Sequence, residues 1–209
     1  IESTDHSMNF GPDKKYWYSN NAAGNPMDSE GLNVGFTVKA DISLDEKNIL
    51  TVGSEFQRYR LDDLWAASGT GSMSPNTFIN INNGARDRYD VYAELTHSWQ
   101  PDFLTSVGLR YGMVRMDAGE VHGYADVNTF GGMTNNQRSN SAAFNASERT
   151  KIDHNWDLTI LSEYIISPKY TSEFGYAIKN RSPNLYERYT WSTWIMAANM
   201  NNSYGDGNG

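Results

Sequence analysis

The triplet His6-Ser7-Met8 is the sharpest candidate for chemistry in this sequence. On a β-strand, side chains two residues apart point to the same side, so His6 and Met8 would converge on a single ion. An imidazole nitrogen beside a thioether is a soft donor set: the thioether favours Cu(I), and imidazole suits either copper state. A chance His-x-Met in a strand is the competing explanation. Met196 and Met200, at i, i+4 spacing, would share one face of a short loop helix and are the weaker metal candidates. Met27, Met73 and Met133 are expected in loops, where methionine also serves as gap filler. His97, His122 and His154 have no partner at ligand spacing. Asp206-Gly207-Asn208-Gly209 lacks the alternating oxygens and closing Glu of a calcium loop.

No enzyme motif is present. The chain has no Gly-x-Ser-x-Gly elbow, P-loop, dinucleotide fingerprint or His-Glu-x-x-His, and without cysteine it has neither disulfide framework nor thiolate site. Its 209 residues carry 17 basic and 25 acidic side chains, a net charge of −8, which argues against a nucleic-acid partner. Aromatic residues make up 13%, too many for a disordered acidic tail. No apolar run approaches the roughly 20 residues of a spanning helix.

The elements that must position these residues are strands. From Leu32 to Ile42, apolar residues at even positions alternate with Asn33, Gly35, Thr37, Lys39 and Asp41. The same period recurs from Tyr89 to Thr96, from Ser106 to Met113, from Ile152 to Ile166 and from Glu173 to Lys179, less cleanly over 48–60, with a further strand near Thr4–Phe10. Connections at 43–47, 100–102 and 167–169 are short; those at about 61–86, 118–150 and from 181 onward are long and rich in Asn, Ser, Gly and Thr. Short turns at one rim and long loops at the other are the pattern of a transmembrane β-barrel. Trp99 and Phe103 flank one short turn and Tyr164 and Tyr170 another, as interfacial aromatics do. The polar face, with Lys39, Asp41, Glu55, Glu94, Arg110, Asp157, Glu163 and Lys179, suits a wet or plugged lumen. An open set of six to eight strands leaves edges that lipid does not tolerate. The expectation is an all-β, antiparallel transmembrane barrel in which residues 1–209 form an arc of a larger barrel. A soluble, secreted, carbohydrate-binding β-sandwich and a complete small barrel acting as an adhesin are the alternatives.

Residues 180–191, Asn-Arg-Ser-Pro-Asn-Leu-Tyr-Glu-Arg-Tyr-Thr-Trp, resemble the Arg-x-Pro-x-Leu-Tyr-Glu-Arg-Tyr stretch of TonB-dependent outer-membrane receptors. The continuation through Met196 to Asn202 and Gly205–Gly209 most resembles the copper-receptor branch. The resemblance implies a bacterial outer-membrane location, a plugged barrel of roughly 22 strands and energy delivered by TonB through the plug. It implies no catalysis and no required cofactor, with a copper ion as the transported ligand, and His6 and Met8 as the barrel half of a metal site. The plug, a TonB box and a terminal aromatic strand have no counterpart in these residues. Outer-membrane lipid is an implied partner, and a ferric siderophore is the alternative cargo.

Overall fold

In the computed structural model, residues 1–8, 27–67, 75–127, 129–130, 133–134, 136–194 and 197–198 are described. Seven strands form one antiparallel sheet: β1 (Glu2–Met8), β2 (Met27–Ser43), β3 (Asn48–Trp65), β4 (Phe78–Gln100), β5 (Phe103–Asp117), β8 (Lys151–Ser167) and β9 (Tyr170–Ile178). Their spatial order is their chain order, an up-and-down meander, and β1 and β9 are its two edges. Between β5 and β8 lie the two-residue strands β6 (Thr129–Phe130) and β7 (Met133–Thr134) and helix α1 (Gln137–Ala146); helix α2 (Leu185–Tyr189) follows β9. No helix among the described residues is long and apolar enough to cross a membrane.

The tight connections β2–β3, β4–β5 and β8–β9 all fall at one end of the sheet, the turn end. At the first, Asp45 Oδ1 accepts from the amides of Lys47 and Asn48 at 2.7 and 2.8 Å, the local bonding that makes Asp a turn residue. The longer connections fall at the opposite, loop end.

Two expectations from the alternation are corrected. The stretch 61–86 is mostly strand, since β3 continues to Trp65 and β4 begins at Phe78; only 66–77 connect them. Met27 is not in a loop but opens β2; Met133 lies in the two-residue strand β7 within the β5–β8 connection, and Met73 lies outside the described residues. Both errors have one cause. At the loop end the chain folds back over one face, which we term inner, so side chains there turn apolar or buried and the contrast between odd and even positions disappears. Leu61, Ile81, Val114, Met116, Leu185 and Tyr189 form one buried cluster under that cover. Trp65, Phe78, Val121, Tyr124, Trp191 and Ala197 form a second. Phe78 lies between Trp65 and Trp191, stacked at 4.6 and 4.9 Å. The β3–β4 register slips at Leu61–Leu64, where Asn83 takes φ 48° and its amide donates to Asp62 Oδ1 at 2.6 Å. Asn tolerates that left-handed conformation better than most residues.

The outer face is layered by the strand register. One row reads Phe36, Phe56, Tyr89, Met113, His154, and the next Val38, Ser54, Val91, Tyr111, Trp156. Two aliphatic rows follow: Ala40, Val52, Ala93, Leu109, Leu158, and Ile42, Leu50, Leu95, Val107, Ile160. Trp99, Phe103 and Tyr164 close the face at the turn end. Nothing in the described chain covers it: Phe36 is 61% exposed, Trp156 56% and Phe174 75%. The seven glycines of the main strands (Gly31, Gly35, Gly53, Gly84, Gly108, Gly112 and Gly175) all fall on the inner face.

Candidate functional site

His6 and Met8 lie on β1, two residues apart, as the spacing requires. They stand on the inner face at the loop end, where His6 pairs with Ser29 and Met8 with Met27. Those partners pair in turn with Asp63 and Trp65. The lattice therefore has two adjacent rows, His6–Ser29–Asp63 and Met8–Met27–Trp65. In the strand register Met27 stands opposite Met8, a pairing that spacing along the chain could not reveal. Met27 also packs against the aromatic cluster. Met196 and Met200 lie outside the described residues. Among the described residues, no group of three or more His, Cys, Asp or Glu is arranged to hold a metal. A site here would rest on soft thioether and imidazole donors.

Asp63 anchors the floor beside this pair. It is 1% exposed and accepts from Ser29 Oγ at 3.2 Å, Trp65 Nε1 at 3.1 Å and Asn80 Nδ2 at 2.6 Å. Tyr186 adds a further side-chain hydrogen bond. A buried carboxylate is tolerated when its lone pairs are filled by donors. Burial, reinforced by the Asp63 charge, pushes the Tyr186 and Tyr124 hydroxyls far above their ordinary range, so both remain protonated.

Residues 181–191 close over the inner face. Asn184 and Glu187 form a reciprocal capping box at the start of α2. Arg181 forks onto Glu187 at 2.7 and 2.9 Å. That pairing, with the Asn184 amide, brings the Glu187 carboxyl down to about 2. Arg188 is buried and donates to Asp153 Oδ2 at 2.7 Å, joining α2 to β8. Leu185 packs against Ile81 and the backbone of Gly84, where a Cβ would meet the Leu61 carbonyl at 2.9 Å.

Below that cover the inner face carries a charge network. Asp90, 3% exposed, lies 2.5 Å from Arg88 Nε and 3.3 Å from Arg110 Nε. Arg88 also reaches Glu55 at 3.6 Å, and Arg110 reaches Asp157 at 3.9 Å. Arg86, Arg88, Asp90, Arg110, Asn155 and Arg181 line a cleft of about 60 Å³ beneath the turn that precedes α2. Asp90 lies across Gly112, where any Cβ would collide with its carboxylate. Of this set Glu55, Arg110 and Asp157 stand among the polar-face residues read from alternation. Asp90 lies at a polar position of the strand expected from Tyr89, and Arg86 and Arg88 continue its every-second-residue series toward the loop end, ahead of that strand and, for Arg86, inside the stretch expected as a loop.

The other histidines have structural partners. His97 Nδ1 is 2.8 Å from Asn48 Oδ1, His154 Nδ1 is 2.7 Å from the Tyr111 hydroxyl, and His122 is 3.5 Å from Asp126.

Comparison with protein-family models, curated proteins and solved structures gives no match.

Proposed function

We propose that this chain is a section of a TonB-dependent outer-membrane receptor that takes up a metal ion, with copper as its cargo. The observation that carries the reading is the uncovered outer face. Its aliphatic rows lie between aromatic residues at both ends, while the opposite face buries paired charges. From Tyr89 to Trp99 is ten residues. At about 3.4 Å per residue and a tilt near 40°, that run rises roughly 26 Å, close to the ~25 Å apolar band of outer-membrane barrels. A sandwich would bury this face against a second sheet; here it stands bare, and charged side chains hold the other face.

The two edges, β1 and β9, fit an arc that further strands would close. The paired charges of the inner face suit a lumen filled by a plug, which would connect the barrel to TonB. In this reading the ion is captured and passed on without bond chemistry. His6 and Met8 supply soft donors from the wall, and the 181–191 segment packs over the mouth.

Cu(I) binding to the full-length receptor in outer membranes, beside its Met8→Ala variant, tests the cargo. Binding that falls at least roughly tenfold in the variant supports it, since one donor of a two-donor wall is lost. Equal binding, or no copper uptake by the receptor, removes copper and leaves ferric siderophores to be tried next. Monodisperse behaviour of the receptor in buffer without detergent would remove the barrel reading itself.

A further inference from the structure

A groove of about 450 Å³ opens on the outer face, lined by Val91, Ala93, Leu109, Tyr111 and Trp156. Tyr111 and Trp156 form its wall on the loop-end side, with ring centroids 4.8 Å apart. Ala93, a small residue between larger neighbours, leaves space between Val91 and Leu109. One row nearer the loops, the Tyr111 hydroxyl and His154 Nδ1 form a 2.7 Å hydrogen bond on this otherwise apolar face. One row further stands Arg115, exposed, opposite Asp87 on one side and Ile152 on the other. The carboxylate of Asp87 is already occupied: Arg60 meets it at 2.7 and 3.1 Å and Arg58 at 3.4 Å, both from β3. Among the described residues, Arg115 has no carboxylate within 4.0 Å.

We propose that this groove docks one phosphate-bearing membrane lipid, with an acyl chain along Ala93 and Leu109 and the phosphate on Arg115. The inference rests on the barrel reading and is independent of copper. The distances suit such a ligand. Arg115 is four residues from Tyr111 along β5, about 13 Å at the usual rise, which places a cation at headgroup height when the groove lies in the hydrocarbon. A guanidinium offers a planar fork that matches phosphate oxygens. The Tyr111–His154 pair lies between the two, at the depth of the ester region. The groove is continuous with the apolar band, so a chain already in the membrane reaches it by lateral diffusion. Arg58 and Arg60 do not compete for the phosphate, because Asp87 holds them.

The experiment is native mass spectrometry of the full receptor in a mild detergent, titrated with phosphatidylglycerol or with a diacylglycerol of the same chains. The expected result is one retained phosphatidylglycerol and no comparable diacylglycerol adduct. Arg115→Gln should lower that occupancy roughly fivefold, the value of about one interfacial charge. Trp156→Ala should lower it as well, and Phe174→Ala, on the far strand, should leave it unchanged. Excess inorganic phosphate should not displace the lipid, which separates a lipid site from a bare anion site. Retention of the adduct by both Arg115→Gln and Trp156→Ala, or equal binding of diacylglycerol, overturns the proposal. Arg115 is exposed, so its variant folds even where the tryptophan variant does not. A receptor that is soluble without detergent removes the barrel reading, a distinct failure.

Discussion

Phe36, Val91 and Trp156 stand uncovered on the outer face, while one residue along the strand from Val91 the carboxylate of Asp90 is buried between two arginines. Seen as a water-soluble protein, the sheet is inside out. Its apolar side has no cover, and its charged side is the one that packs. On the barrel reading proposed above, the solvents are exchanged and the arrangement is consistent. Hydrocarbon outside rewards exposed Leu and Phe, and a polar interior rewards paired charge. The faces differ along their length too: the outer face keeps one character through the band, whereas the inner face is polar near the turns and a packed aromatic core under the loops.

The largest expected effect belongs to that core. Trp65→Ala should destabilise the loop end by about 3–5 kcal/mol, seen as faster amide exchange across 185–194 in the folded protein. Exchange unchanged there would mean that the aromatic stack does not hold the loops down. On the proposed barrel reading, Leu109→Arg, on the outer face, should cost roughly 2–4 kcal/mol in lipid by denaturant titration. Thr159→Arg, on the inner face of the neighbouring strand, should cost less than about 1 kcal/mol. Equal penalties would erase the distinction between the faces.

A finer comparison uses inner-face glycines. Gly53→Ala would set a Cβ 2.3 Å from the Tyr92 ring and should cost about 1–3 kcal/mol. Gly175→Ala, whose nearest neighbour would be Leu161 at 3.4 Å, should be close to neutral in the same titration. The smallest effect concerns pH. The Glu187 carboxyl lies at about 2 through Arg181 and the Asn184 amide. Its contribution is complete above the unfolded value near 4.3 and disappears as pH falls through about 2. Glu187 is 35% exposed, so solvent screening limits this to under about 1 kcal/mol. A carboxyl NMR titration should find Glu187 returning toward the ordinary range in Arg181→Gln.

How much of this could be read from the residues depends on what each face meets. Along 32–42 neither face of β2 is packed over, so odd and even positions keep opposite characters and the strand is plain. In 61–65 and 78–88 the inner positions Leu61, Trp65, Phe78 and Ile81 became core, and the period lost its contrast. The spacing of His6 and Met8 was legible because it is local. Their neighbours Ser29, Asp63 and Met27 were not, since pairing register is a property of strands far apart in sequence. The Asp90 network was hidden for the same reason: its partners come from β3, β4, β5 and β8.

The placement of the seven strand glycines on one side has a consequence of shape. Tyr92 lies over Gly53, Glu94 beside Gly108 and Asp90 over Gly112. Large inward side chains thus spread sideways across a neighbour that takes up no room, while the outward positions opposite are filled with rings and branched chains. Each strand is then narrower on its inner side, like the stave of a cask. Tapered staves set side by side cannot lie flat; they turn toward the thin side at a radius fixed by the taper. The circumference of any wall closed from such strands would then be written in side-chain volumes, position by position, before any loop or partner takes part.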